Sequence, residues 1–164
     1  MGGEVKCFFT YRNVRYICYI RILQDEKLHF FHPIIELFRA VLSRKTGIEI
    51  HAKTQIGAGF RMVHPFNITV GENVIIGNNV NILKGCTIGY ALGNKPGTPN
   101  IGNNVQIGIN ATIIGGINIG NDVLVAPNSF VNMDVPDHSV VIGNPARIIH
   151  RDNATSQYVY FCVK

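Results

Sequence analysis

Two rhythms of apolar residues divide the chain. Over residues 5–45, Val14, Ile17, Cys18, Arg21 and Ile22 recur at three- and four-residue spacings, as do Ile34, Leu37, Phe38, Val41 and Leu42. That spacing predicts helices. Pro33 fits the first turn of the second, where its missing N–H costs nothing, and Gly47 punctuates its end. From Ile48 onward the period becomes six. Apolar residues stand at Ile50, Ile56 and Met62, then at Val70, Ile76, Ile82 and Ile88, and again from Ile101 through Ile107, Ile113, Ile119 and Val125 to Val131. Glycine follows many of them, as at Gly57, Gly77, Gly102 and Gly120. Four residues after each start comes a small or β-branched residue such as Val74, Cys86, Ala111 or Ser129.

A short strand that turns two residues inward in every hexad must bend once per hexad. Asn and Gly, abundant between the apolar positions, tolerate the left-handed backbone that such a bend uses. Three hexads close a triangular coil of about 18 residues, and coils stack at roughly 4.8 Å. Each coil buries its apolar points only against its neighbours, so the array is a solenoid. The prediction is a parallel β-helix preceded by a short helical segment. Its handedness does not follow from the period.

The register breaks twice. Met62 and Val70 are eight apart instead of six, and His64 sits in that longer corner. Ile88 and Ile101 are thirteen apart, so about seven residues within 90–100 loop out. A repeat protein carries function where its repeat fails. Glu49 closes the corner before the hexad of Ile50, and His64 lies in the corner before that of Val70. The two are expected to stack on one edge, a carboxylate beside an imidazole.

Composition narrows the class. The 164 residues have room for one domain, and 46% hydrophobic against 15% charged residues argues against disorder. The net charge of +5 suits a phosphate-bearing ligand or an anionic surface, and no partnership with nucleic acid is expected. Cys7, Cys18, Cys86 and Cys162 show neither a CxxC pair nor zinc spacing, which reads as a reduced, cytoplasmic chain. Arg12, Arg15 and Arg21 interrupt the apolar stretch from Cys7 to Leu23, so neither a signal peptide nor a spanning helix is expected there.

The hexads IGNNVNILKGCTIG and IGNNVQIGINATIIGGINIGNDVLVAPNSFV, followed by DVPDHSVVIGNPARII, resemble the hexapeptide-repeat acyltransferases. GIEIHAKTQIGAGFRMVHP adds a resemblance to their serine O-acetyltransferase-like branch. The likeness covers about residues 47–149. It implies a left-handed β-helix, a homotrimer and acetyl-CoA as donor. It divides the chain into an N-terminal helical segment (1–46), a β-helical acyltransferase domain (47–149) and a C-terminal tail (150–164). The histidine matching His64 is the family's general base, and the acidic residue matching Glu49, usually Asp, is its partner. His51 matches a histidine that is not the base. An alcohol needs a positioned base to attack a thioester at neutral pH, and a carboxylate orients the imidazole that serves.

By the same resemblance, Gly89, Gly108, Ile109, Ala126 and Pro127 match positions along the groove that holds the pantetheine arm between two subunits. Lys95 and Arg147 are candidate phosphate contacts. Cys86 falls in an inward small-residue slot, so direct transfer without an acyl-enzyme is expected. The carbonic anhydrases of this fold use three metal-binding histidines. No His occurs between Pro65 and Asp137, so no metal is expected.

The acceptor is read from two departures. Serine acetyltransferases carry an Asp just before the base, where this chain has Val63, and an Arg-His pair in the loop, where it has Gly97-Thr98. Both remove charges that would hold an amino acid. The expectation is therefore a saccharide hydroxyl of surface polysaccharide synthesis, small or lipid-linked. Serine itself and a catalytically silent scaffold are the alternatives. Aromatics at Phe8, Phe9, Tyr11, Tyr16, Tyr19, Phe30 and Phe31 mix with Lys6, Arg12, Arg15, Arg21 and Lys27. That mixture suits peripheral contact with the inner face of a membrane, or packing against the coil or another subunit.

Overall fold

The computed structural model describes residues 12–159 and 162–163. Helix α1 (Arg12–Gln24) leads through a 3-10 turn (Glu26–Phe31) into α2 (His32–Thr46). Among the described residues the predicted helical stretch therefore comes in three pieces, and Lys6, Phe8, Phe9 and Tyr11 lie outside them. Asp25 caps the 3-10 turn by accepting from the Lys27 N–H at 3.0 Å. Pro33 sits in the first turn of α2, and Gly47 ends it at φ 66° with its N–H donating to the Ser43 carbonyl.

The helices bury different faces from those the spacing marked. Among the described side chains of α1, Tyr16 and Ile20 are fully buried. Tyr16 plugs the open end of the first coil because its hydroxyl is satisfied there, accepting from the Ile50 N–H and from Arg39, each at 3.1 Å. In α2 only Leu42 and Thr46 are buried, while Ile34, Leu37, Phe38 and Val41 stay exposed.

The rest is a left-handed parallel β-helix of about five coils and three faces. The first face stacks β1 (Glu49–Ile50), β4 (Thr69–Val70), β7 (Thr87–Gly89), β10 (Thr112–Ile114) and β13 (Phe130–Val131). The second stacks β2 (Gln55–Ile56), β5 (Ile75–Ile76), β8 (Asn100–Ile101) and β11 (Asn118–Ile119). The third stacks β3 (Arg61–Val63), β6 (Asn81–Leu83), β9 (Gln106–Ile107), β12 (Val123–Val125) and β14 (Ser139–Ile142), with β15 (Arg147–His150) added antiparallel. The inward residues form columns such as Ile50, Val70, Ile88, Ile113 and Val131, all buried. Val70 pairs with Ile88 and Ile113 with Val131, each 18 residues on, which is the predicted coil length. The two predicted breaks are also present, since Ile50 pairs with Val70, 20 residues on, and Ile76 with Ile101, 25 on.

Beyond β15 the chain turns back over the helix. Asp122 accepts from the Ala154 and Thr155 N–H groups at 3.0 and 2.9 Å and from the Thr155 hydroxyl at 2.7 Å. The Asn81 side chain donates to the Tyr158 carbonyl, and Asn79 pairs with both backbone groups of Val163. The segment expected as a C-terminal tail (150–164) is thus held against the β-helix at Ala154, Thr155, Tyr158 and Val163, and β15 reaches into it only at His150.

Candidate active site

The edge where the third face turns into the first is built around residues in the left-handed region. Gly47, Asn67, Gly85, Asn110 and Asn128 all have positive φ there. Each coil bonds to the next: Gly85 N–H to Phe66 O at 3.0 Å, Asn110 N–H to Lys84 O at 3.1 Å, and Asn128 N–H to Ile109 O at 2.9 Å. This register aligns Phe66 with Lys84, Ile109 and Pro127, while Val63 lies beside Leu83. Two residues are left without a counterpart in the next coil, His64 and Pro65. The lengthened corner is therefore this pair, pushed out of the repeat.

His64 takes φ 53°. Of the ten described non-glycine residues with positive φ, eight are Asn or Asp, and His64 and His138 are the others. The left-handed region costs an ordinary L-residue roughly 1–2 kcal/mol. Such outliers persist where the surrounding structure holds them, and they cluster at functional sites.

Glu49 begins β1 on the far side of the same edge. Its N–H donates to Ile68 O at 2.7 Å, and it pairs in register with Thr69. Gly47 lies against Asn67, where a Cβ would come within 3.2 Å of the Asn67 Cα. The backbone thus carries His64 and Glu49 to one edge from successive coils. Among the described residues neither side chain has a hydrogen-bond partner, the other included.

Gly108, Ile109, Ala126 and Pro127 lie on this edge too, two and three coils further along. A Cβ on Gly108 would stand 2.6 Å from the Pro127 nitrogen and 2.8 Å from the Ala126 carbonyl carbon. Only glycine lets those two corners nest. The remaining candidates lie elsewhere in a single chain. Gly89 ends β7 at the opposite side of the first face, with open space where a Cβ would be. Lys95 sits in the protruding loop, whose base is closed by paired Ala91 and Gly97, and its ammonium pairs with Asp134. Arg147 is exposed at the start of β15.

A groove that the spacing did not reveal opens between α2 and the first face. It has a volume of about 540 Å³, and Glu49, His51, Glu72, Glu36, Arg39 and Arg44 line it; His64 does not. The Arg39 guanidinium grips the Glu36 carboxylate, which holds that carboxyl below its usual range. No sequence signal marks this groove, because it exists only once α2 folds back over the first coil.

Cys86 is buried, its Sγ 2.9 Å from the Gly108 carbonyl. Desolvation pushes its thiol up to about 11, so it carries almost no thiolate at neutral pH.

Comparison with known proteins gives the chain's relatives. Residues 98–132 match the bacterial transferase hexapeptide (six repeats) family. A serine acetyltransferase of Bacillus pumilus is 33% identical over 150 residues, which cover 88% of this chain and 67% of that protein. Serine acetyltransferase 2 of Arabidopsis thaliana is 44% identical over 110 residues, 66% of this chain but 34% of its own length. The crystal structure of Neisseria gonorrhoeae serine acetyltransferase superposes with a TM-score of 0.76 at 31% identity, covering 88% of this chain and 57% of that one. The chain thus spans about a third of the Arabidopsis relative and a little over half of the solved one.

These likenesses overturn the expected saccharide acceptor and, with it, a role in polysaccharide synthesis: the relatives are serine acetyltransferases. The expectation rests on positions 63, 97 and 98 alone, and spacing cannot show the groove beside Glu49, which carries both signs of charge from α2 and from the turn after β4.

Proposed function

The chain belongs to the serine acetyltransferase family, and from that premise we propose that it transfers the acetyl group of acetyl-CoA to the hydroxyl of serine. The observation that carries this reading is the extruded His64–Pro65 pair on the edge where Glu49 begins β1 in the preceding coil.

His64 takes the serine hydroxyl proton as the oxygen attacks the thioester carbonyl carbon. The tetrahedral intermediate collapses by breaking the carbon–sulfur bond, and the imidazolium returns its proton to the departing thiolate. Glu49 holds the ring in the working tautomer and stabilises its charged form. No acyl-enzyme forms, in keeping with the buried, protonated Cys86 thiol.

The donor arm lies along the edge below His64, over Gly108, Ile109, Ala126 and Pro127. From His64 to the Ala126–Pro127 corner is three coils, about 14 Å at the usual strand spacing. The nested backbone at Gly108 supports this fit, because it leaves a smooth floor with no Cβ in the way. The enzyme works as a homotrimer. Gly89, Lys95 and Arg147, remote from this edge in one chain, reach the donor across subunits, the two cations at its phosphates.

The test is thiol release from acetyl-CoA with serine, with a panel of sugars, and with no acceptor. Serine-dependent release supports the proposal. Release with sugars alone, or none with any acceptor, contradicts it, the second outcome favouring a silent scaffold.

A further inference from the structure

Along the edge that carries His64, successive coils place Phe66, Lys84, Ile109 and Pro127 at one corner position, with Glu49 in the coil before. Lys84 is therefore one coil, about 4.8 Å, from the corner of His64, on the side toward Gly108 and Ile109. Its side chain is exposed, and among the described residues it has neither a hydrogen bond nor an ion pair. Other cations are engaged. Arg39 grips Glu36, Lys53 pairs with Glu72 at 2.7 Å, Lys95 pairs with Asp134, and Arg21 donates to the Ile56 and Gly57 carbonyls. Arg61, three residues before His64, lines a cavity between α1 and β3 with Val14, Ile17 and Cys18. Arg44 lines the groove beside Glu49, which His64 does not line.

Attack on a thioester puts a negative charge on the former carbonyl oxygen, and a donor aimed at that oxygen is commonly the largest source of rate. Backbone N–H groups often serve. On this edge the N–H groups of the left-handed turns are spent on neighbouring coils: Gly85 donates to Phe66, Asn110 to Lys84 and Asn128 to Ile109. Thr69 and Thr87, just past the turns, donate to the Cys86 and Ala111 carbonyls. These turns therefore hold no preformed backbone hole, and Lys84 is the cation that the register sets between His64 and Ile109.

Taking the proposed acetyl transfer as premise, we propose that Lys84 is a further catalytic residue, which stabilises the oxyanion. As the acceptor oxygen bonds to the carbonyl carbon, His64 takes the hydroxyl proton and the C=O electron pair moves onto oxygen. The Lys84 ammonium donates an N–H to that oxygen. The C=O bond then re-forms, the carbon–sulfur bond breaks, and the thiolate takes the proton from the imidazolium; Lys84 keeps its own proton throughout. The two sides of His64 so divide the charge: Glu49 answers the imidazolium, and Lys84 answers the oxyanion on the donor side. A flexible stem with three N–H donors can follow the oxygen as its carbon turns tetrahedral. The role does not depend on serine, since any oxygen nucleophile builds the same oxyanion.

The experiment measures thiol release from acetyl-CoA, with serine and with water alone as acceptor, by the full-length protein, Lys84→Met and Lys84→Arg. Methionine keeps the length of the stem and loses the charge, and at an exposed corner it should leave thermal melting unchanged. The expected result is a fall of about 10²-fold in kcat with either acceptor, the scale of one oxyanion donor. KM for serine and for acetyl-CoA should hold, and Lys84→Arg should keep most of the rate. An unchanged kcat in Lys84→Met overturns the proposal. So does a rise confined to KM for serine, which assigns Lys84 to the acceptor's carboxylate, or confined to KM for acetyl-CoA, which assigns it to donor binding. Failure of the serine reading shows separately, as release by the unaltered protein that serine does not increase; the ratio of Lys84→Met to unaltered protein with water then still decides the role of Lys84. No release in either condition overturns both.

Discussion

Glu49 lies in parallel register beside Thr69, and Thr69 is the fifth residue after His64. A two-residue extrusion in one coil thus faces the first strand of the coil before it. If Glu49 orients the imidazole, Glu49→Gln, which keeps size and loses charge, should lower kcat with serine about tenfold or more while coenzyme A affinity holds. Glu49→Asp should retain more activity than Glu49→Gln. Steady-state kinetics beside calorimetric coenzyme A binding check this; equal activity in all three proteins contradicts it.

Gly108→Ala places a methyl group 2.6 Å from the Pro127 nitrogen, and backbone cannot retreat as a side chain can. The expected loss of stability is about 1–3 kcal/mol, the scale of overpacking. Coenzyme A binding should weaken in the same variant. Thermal melting and equilibrium binding measure the two effects separately.

Cys86→Ala should leave acetyl transfer intact, because alanine already fills the same inward column at Ala111. A cost of about 1–2 kcal/mol in stability is expected from the small cavity. In the native protein, a thiol reagent at neutral pH should modify exposed Cys162 and spare Cys86. Loss of turnover in Cys86→Ala without loss of fold contradicts direct transfer.

The docked C-terminal stretch should respond to pH from both sides. Burial opposes ionisation of Asp122, but hydrogen bonds from Thr155, His138 and the Ala154 N–H outweigh it and keep the carboxyl below its ordinary value. The hydrogen bond to Asp122 raises the His138 imidazole above its own. The Asp122 contribution is present above the ordinary carboxylate range and fades as pH falls through the lowered value. The His138 contribution is present below the ordinary imidazole range and fades as pH rises through the raised one. Both are whole between about pH 4 and 6.5. Protection factors for the Ala154 and Thr155 amides should peak in that window, and His138→Gln should remove the decline on the alkaline side.

The period of six revealed the coil, its 18-residue length and both breaks, because an inward column such as Ile50–Val70–Ile88 leaves its spacing in the chain. It also revealed the extruded corner, since a two-residue surplus shows in the count. Which helical face is covered was not legible. Ile34, Leu37 and Phe38 have the spacing of a buried stripe, yet the coil's open end is filled by Tyr16, whose hydroxyl finds partners there. The charged groove beside Glu49 escaped for a related reason: Arg39, Arg44 and Glu72 come from separate elements, and only tertiary packing joins them. Val63, Gly97 and Thr98 point away from an amino-acid acceptor when taken singly, because single positions do not show the charges that packing gathers beside Glu49.

The most direct measurement compares His64→Asn with the unaltered protein in serine-dependent thiol release from acetyl-CoA. Asparagine accepts the left-handed backbone of position 64, as it does at Asn67 and Asn110, so the corner should keep its shape and the melting temperature should hold. With the general base gone, kcat should fall about 10²-fold or more while coenzyme A still binds. A folded His64→Asn protein that transfers acetyl to serine at the original rate would contradict the account.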